Sequence, residues 1–418
     1  MTKLVAQYRS MPTATRLLLL NQFTINFGFY LLMPYLAQHL AGTLGLAAWL
    51  VGLILGVRNL SQQGMFAVGG ALADRLGYKP LIVAGCVLRT AGFGLLALAD
   101  SVPALVIASA ATGLAGAMFN PAVRAYLALD SGSRRIEAFA LFNVFYQAGI
   151  LIGPVVGLLL TGASFRLTCA VSAAVFAVLS VIQIRALPRQ PATTRGDTGL
   201  AGQWRVVLTN RRFLLFAAAM TCSSVLTFQV YLALPLEVRR IGGDTTGSTI
   251  GVALLFVASG LVTVLAQTKL TAWCRTRIPP GYAMAAGTAT MAIAFLPLLA
   301  TAPLTRPPNP LAAWALAILP ALTAAILLAI GTMLTFPFEM DTIVTLAQNR
   351  LVATHYGIYN TICGLGITAG NLLTGATLDT ARAQGLPTLP WLALVTLGAL
   401  GATTLLTLHR TNRLTPTP

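Results

Sequence analysis

The sequence predicts an all-α membrane protein with twelve transmembrane helices. Three observations carry that prediction. Of the 418 residues, 56% are hydrophobic and only 9% are charged, whereas a soluble domain carries about 25% charged residues. The apolar residues fall into long blocks that match a hydrocarbon core of about 30 Å. The basic residues collect between those blocks and alternate with nearly uncharged gaps. Each block must be helical, because lipid offers no partner to a free N–H or C=O.

The spans run over 14–39, 47–72, 80–99, 103–128, 138–161, 166–186, 213–237, 247–270, 281–301, 315–345, 352–377 and 388–409. An even number places both termini on one side. With the N-terminus inside, 19 Lys and Arg fall on inner segments and five on outer ones, with Arg195 among the inner and Arg306 among the outer. The positive-inside rule therefore expects both termini in the cytoplasm. Arginine outnumbers lysine 24 to 3, a bias of GC-rich bacterial genomes, so the expected location is a bacterial inner membrane. The net charge of +17 fits this loop pattern better than the single basic face of a nucleic-acid binder. The first span is longer than a signal-peptide core and has no A-x-A site, so it is expected to stay.

The stretch 187–212 holds Pro, Gly, Thr and five arginines. It is read as a cytoplasmic linker between an N-terminal six-helix half, 1–186, and a C-terminal half, 213–418. The halves repeat. Tyr30-Leu-Leu-Met-Pro34 in span 1 matches Tyr231-Leu-Ala-Leu-Pro235 in span 7. Gln22 and Asn26 then fall on Ser223 and Thr227. Residues four apart share a helix face, so Gln22, Asn26 and Tyr30 form one polar stripe and Ser223, Thr227 and Tyr231 its counterpart. Asn143, Gly149 and Gly153 likewise match Asn360, Gly366 and Gly370. Matched halves related by a pseudo-two-fold axis are a transporter plan with substrate near the midplane. The polar residues either line that shared cavity or bond neighbouring helices.

The loop after span 2 reads Gly70-Ala-Leu-Ala-Asp74-Arg75-Leu-Gly77-Tyr78-Lys79. Gly77 permits a tight turn, and Asp74 can face a helix N-terminus, whose partial positive charge favours an anion. This loop resembles the signature loop of the major facilitator superfamily, between spans 2 and 3. The resemblance implies that Asp74 contacts the start of span 11, near Leu351–His355, and latches the halves in the outward-open state. It also makes Asp130 the companion acid. A basic residue is common in the family where Tyr78 stands, so the charge relay is expected through Arg75 or Lys79. Span 5 contains Gly149-Ile-Leu-Ile-Gly153-Pro154-Val-Val-Gly157, similar to the GxxxGPxxG motif of drug:proton antiporters. Small residues let helices approach, and proline bends a helix. The run around Arg58, with Arg89 and Asn120-Pro121-Ala-Val-Arg124, resembles the bacterial multidrug exporter branch of the superfamily.

Charges inside a bundle are costly and are candidates for function. Arg58 precedes Asp74 by sixteen residues, about 24 Å of helix. Arg89 lies about 15 Å deep. No acid of the first half lies at either depth, so both arginines lean on carbonyls, on amides and hydroxyls, or on an anionic guest. Arg124 lies near the cytoplasmic end, and aligning Pro121 with Pro337 sets Glu339 and Asp341 at a similar depth in span 10. Spans 4 and 10 face each other in the superfamily, so Arg124 is expected to pair with Glu339 or Asp341 in a proton-sensitive inner gate. Glu237 is read as a solvated interfacial charge and His355 as a surface histidine.

Five scattered cysteines form no CxxC, and three histidines form no metal pair or dyad. No cofactor, metal site or enzyme activity is expected. The expectation is a monomeric, proton-coupled exporter of drug-like or secondary-metabolite compounds, with protons, small molecules and lipid as partners. The rival is a narrow transporter: an anionic-metabolite or siderophore exporter, an importer, or a lipid flippase.

Overall fold

Among the described residues, every regular element in the computed structural model is helical. The structure describes residues 2–98, 101–190, 199–242, 246–304 and 309–415, so Arg195 and Arg306 lie outside the described residues. The helices are α1 (Thr2–Arg9), α2 (Thr13–Tyr30), α3 (Met33–Gln38), α4 (Ala48–Leu76), α5 (Tyr78–Leu98), α6 (Val102–Asp130), α7 (Arg135–Ala163), α8 (Phe165–Ala186) and α9 (Leu200–Thr209). They continue as α10 (Arg211–Phe228), α11 (Ala233–Gly242), α12 (Thr246–Arg277), α13 (Pro280–Ile293), α14 (Leu296–Thr301), α15 (Pro310–Leu346), α16 (Val352–Gln384) and α17 (Leu389–Arg410). Among the described residues, ten helical stretches are long and apolar enough to cross a membrane. The pair α2 and α3, together with α4, covers the first two apolar blocks.

Proline explains the broken spans. Its ring clashes with the carbonyl four residues earlier and it has no N–H to donate. Helix α2 stops at Tyr30, four residues before Pro34, and α13 stops at Ile293, four before Pro297. Between α10 and α11 the backbone turns over 229–232, just ahead of Pro235. This corrects one expectation: Tyr231 lies past the end of α10 and does not continue the helical stripe of Ser223 and Thr227. Pro121, Pro154, Pro320 and Pro337 instead sit inside α6, α7 and α15 without ending them.

The chain forms two compact units. One contains Met1–Arg211 with Ile343–Thr361, and the other Arg212–Thr342 with Ile362–Pro418. The second half of the chain thus lends the end of α15 and the start of α16 to the first unit. Within that unit α6 packs against α4 and α5, α5 also against α8, and α2 against α7. In the second unit α13 packs on α17. Its core gathers Leu226, Leu255, Phe295, Leu328 and Trp391. The rings of Phe295 and Trp391 stack at 6.4 Å. Large apolar side chains such as Leu98, Leu159 and Leu372 lie exposed, the surface that lipid tails cover.

Trp391 is fully buried. Trp391→Ala is expected to cost about 3–5 kcal/mol, read as a lower melting temperature in detergent, with Trp391→Phe recovering most of the loss.

Candidate functional site

The first unit is organised around a buried carboxylate. Asp74 lies beyond the apolar block 47–72, near the end of α4, and is fully buried. Its Oδ2 accepts from the backbone N–H and the hydroxyl of Thr354, both at 2.7 Å. Its Oδ1 accepts from the Ala353 N–H at 3.3 Å and the Tyr78 hydroxyl at 3.1 Å. Ala353 and Thr354 belong to the first turn of α16, whose N–H groups have no partner within the helix. Asp74 therefore caps α16 from 279 and 280 residues away, and its charge meets the positive end of the helix dipole. Burial pushes the Asp74 carboxyl above the usual range, and the hydrogen bonds from Thr354, Ala353 and Tyr78 oppose that shift.

Neighbouring residues are shaped to this contact. A Cβ on Gly70 would overlap the carbonyl of Ala353, and one on Gly357 would overlap that of Phe66. The two helices touch there through backbone alone. Gly77 has φ +92°, which closes the turn after Asp74. Just ahead of α16, Gln348, Asn349 and Leu351 all have positive φ, with Leu351 at 50°. Such backbone is uncommon outside glycine and persists where its surroundings hold it.

The expected charge relay takes another form. Lys79 donates to the carbonyl of Ile184 at 2.7 Å, and Arg75 is exposed. Tyr78 itself completes the carboxylate's set. Helix α9 is a further partner that the polar composition of 187–212 concealed. Its Gln203 Oε1 lies 3.3 Å from the Thr354 hydroxyl, and the Trp204 indole donates to the carbonyl of Ala67 at 3.1 Å. Asn210, just past its end, donates to Leu346 O at 3.1 Å. The apolar spacing of Leu200, Trp204, Val207 and Leu208 is the sequence signal for this helix.

Asp130 repeats the device. It accepts from the Thr15 N–H at 2.8 Å and the Thr15 hydroxyl at 2.7 Å, capping α2 from the end of α6. Helix α2 is in turn gripped by α7. A Cβ on Gly149 would lie 2.7 Å from Phe23 O, one on Gly153 3.0 Å from Phe27 O, and one on Gly157 would overlap Leu31 O. The carbonyl of Pro154 accepts from Tyr35 at 2.5 Å.

The polar residues sort unevenly. Gln22 and Asn26 are buried on α2, and the Asn26 amide donates to Gln22 O at 2.8 Å. Tyr30 is half-buried, with its ring edge-on to Phe29 at 5.2 Å. Ser223 and Thr227 bond back to Met220 O and Ser223 O, each at 2.9 Å, and Tyr231 packs on Phe228 and Phe256. Asn143 is buried on α7. Arg124 donates to Asn360 Oδ1 at 2.8 Å within the first unit. Glu339 and Asp341 stand on α15 in the second.

Two readings of charged groups need correction. Glu237 is buried rather than solvated, because Arg240 clamps its carboxylate with two bonds of 2.7 Å. His355 is buried rather than on the surface, with Nδ1 2.8 Å from Leu351 O.

Arg58 and Arg89 converge. The Arg58 guanidinium lies 4.6 Å from the centroid of the Phe29 ring and that of Arg89 5.1 Å from the same ring. Arg89 also packs on Phe119 at 4.8 Å and Phe176 at 5.4 Å. Arg58 donates to Asn59 Oδ1 at 2.8 Å and Gln62 Oε1 at 3.3 Å. Arg89 donates to Thr112 O at 3.2 Å. Carbonyls and amides were expected here. The aromatic faces, each a cation–π partner, were not, because they come from three other helices.

Among the described residues, no group of three His, Cys, Asp or Glu could hold a metal ion. Ten helical stretches long and apolar enough to cross a membrane, counted among the described residues and shared between two units, define a multi-pass membrane protein. The chain belongs to the Major Facilitator Superfamily, whose family model matches residues 18–371, and it is a transporter rather than an enzyme. It is 49% identical over 394 residues to the uncharacterized MFS-type transporter Rv0849 of Mycobacterium tuberculosis, covering 94% of this chain and 92% of the relative. It is 30% identical over 405 residues to the multidrug resistance protein MdtH of Klebsiella pneumoniae, covering 97% and 95%. Its fold is similar to that of the Escherichia coli fucose:proton symporter FucP, with a TM-score of 0.72 at 14% identity over 95% and 99% of the two chains.

Asp74→Ala leaves the Ala353 and Thr354 amides without their acceptor. Each unsatisfied buried donor costs about 1–3 kcal/mol, so a clear fall in melting temperature is expected. Asp74→Asn should fall less, since one oxygen remains. In a double-mutant cycle, Thr354→Val should add little once Asp74 is alanine.

Proposed function

We propose that the protein is a proton-coupled exporter that moves drug-like or secondary-metabolite molecules across a bacterial cytoplasmic membrane by alternating access. The observation that carries this reading is the Gly149–Gly153–Pro154–Gly157 face pressed on the backbone of α2, the motif that resembles drug:proton antiporters. The full-length likeness to MdtH supports it. Both termini face the cytoplasm on the count of basic residues, and the working state is a monomer.

In this reading residues 1–186 and 213–418 are the two moving halves. The Asp74 cap, with Gly70, Arg75, Gly77 and Lys79 around it, is the latch of the cytoplasm-closed state. Asp130 steadies α2 beside it. Gln22, Asn26, Tyr30, Asn143, Ser223, Thr227, Tyr231 and Asn360 line the substrate path with Arg58 and Arg89. Glu339 or Asp341 carries the proton. Protonation removes the carboxylate's attraction for Arg124, which then keeps Asn360 as its acceptor. Each inward proton releases about 2.3 kcal/mol per 100 mV of membrane potential, and that energy biases the rocking of the halves.

Efflux of a panel of cationic, neutral and carboxylate-bearing drugs and dyes from energised cells tests this. Wild type should export at least one compound of the panel, a protonophore should abolish export, and either Glu339→Gln or Asp341→Asn should cut the rate at least tenfold. Export that survives in both variants removes the proton assignment, and no export of any compound in a drug panel removes the exporter reading.

A further inference from the structure

The convergence of Arg58 and Arg89 on one ring leaves two positive charges in the membrane interior with no acid beside them. Their partners among the described residues are neutral: Asn59, Gln62, the Thr112 carbonyl and the faces of Phe29, Phe119 and Phe176. The Nε atom of each arginine is buried with no acceptor. Arg89 is 97% buried, at 3% relative exposure, whereas Arg58 is partly buried. The two groups also share a polar wall. A Cβ on Gly116 would sit 3.1 Å from both Arg89 Nη2 and Gln62 Oε1, and Gln62 Oε1 is itself the acceptor for Arg58. Glycine at 116 thus lets Arg89 and Gln62 close against the backbone of α6.

Two guanidinium groups held near each other repel, and no Asp or Glu stands among their partners in the described residues. A bundle that keeps such a pair is short of one anion. Guanidinium presents paired N–H donors that match a carboxylate. Phe29, whose ring both guanidinium groups approach, places an apolar side chain beside such a carboxylate. Depth rules out a lipid phosphate. Arg58 lies ten residues from the start of α4 at Ala48 and sixteen from Asp74, about 15 Å and 24 Å along the helix, within the hydrocarbon layer.

We propose that Arg58 and Arg89, with Gln62 and Phe29, form a binding site for the carboxylate of an amphipathic organic anion. The inference rests on Arg58 and Arg89 belonging to the substrate path, and it narrows the substrate class to compounds that carry a carboxylate beside an aromatic or apolar body.

The test is binding by the purified full chain in phosphatidylcholine nanodiscs, measured by equilibrium dialysis. The probes are 1-naphthoate, the neutral 1-naphthalenemethanol and the cationic 1-naphthylmethylammonium. Naphthoate should bind at least tenfold more tightly than either, and equal affinities for the three overturn the site. Arg58→Gln should weaken naphthoate at least tenfold and leave the alcohol unchanged, while Arg58→Lys should retain most of the preference. Unchanged naphthoate binding in Arg58→Gln overturns the site. Arg58 is the better variant because it is less buried than Arg89, whose replacement by Gln alters a packed interior. Phosphatidylglycerol in the nanodiscs should leave naphthoate affinity unchanged, and a tenfold loss overturns the choice of a soluble carboxylate. Binding does not require transport, so the outcomes separate. Selective binding without export of any compound in the drug panel keeps the anion site and removes the exporter reading, whereas export without selective binding does the reverse.

Discussion

The first unit depends on one buried carboxylate. Asp74 accepts at least four hydrogen bonds, three of them from the first turn of α16. Removing a carboxylate from water is expensive unless donors replace the water, and here two backbone amides and two hydroxyls do so. The glycine contacts at 70 and 357 follow from this, because the carboxylate reaches the amides only if the helices meet at backbone distance. The left-handed backbone at Gln348, Asn349 and Leu351 follows too, since it delivers the α16 start to Asp74. The same hydrogen bonds draw Ile343–Thr361 into the first unit although the rest of their half lies in the second.

Asp130 and Thr15 show that this chemistry is used twice in one unit. Both sites match an acid at one helix end with the amide and hydroxyl of a threonine near the start of another. Helix α9 adds a third layer over the Asp74 site through Gln203 and Trp204. A hydrogen-bonded cap can be made and broken without rebuilding a hydrophobic core, which suits the latch role proposed for it. The buried pair of Glu237 and Arg240 is a different case, local to α11 at i and i+3.

Much of this was legible in the sequence, for a physical reason. The bilayer imposes length and apolarity on each span, so hydropathy outlines the helices without tertiary information. Gly70, Asp74 and Gly77 were legible because a turn and a helix cap constrain residue type at fixed spacing. What stayed hidden came from residues distant in the chain. Tyr78 stood where a cation was expected, and only the fold shows its hydroxyl on Asp74. The aromatic surroundings of Arg89 come from Phe29, Phe119 and Phe176 on three helices. Glu237 and His355 looked solvated because they sit near span ends, and their burial depends on packing that a linear pattern does not encode. The break before Pro235 was readable in principle, since proline acts on the turn ahead of it.

The central claim is that Asp74 holds the first turn of α16 through its amides. Hydrogen exchange across that turn, compared between wild type and Asp74→Ala in nanodiscs, tests it most directly, with the Thr15 turn capped by Asp130 as an internal control. The account predicts that the Ala353 and Thr354 amides are strongly protected in wild type and exchange at least tenfold faster in the variant, while Thr15 is unchanged. Equal protection of Ala353 and Thr354 in the two proteins would contradict it.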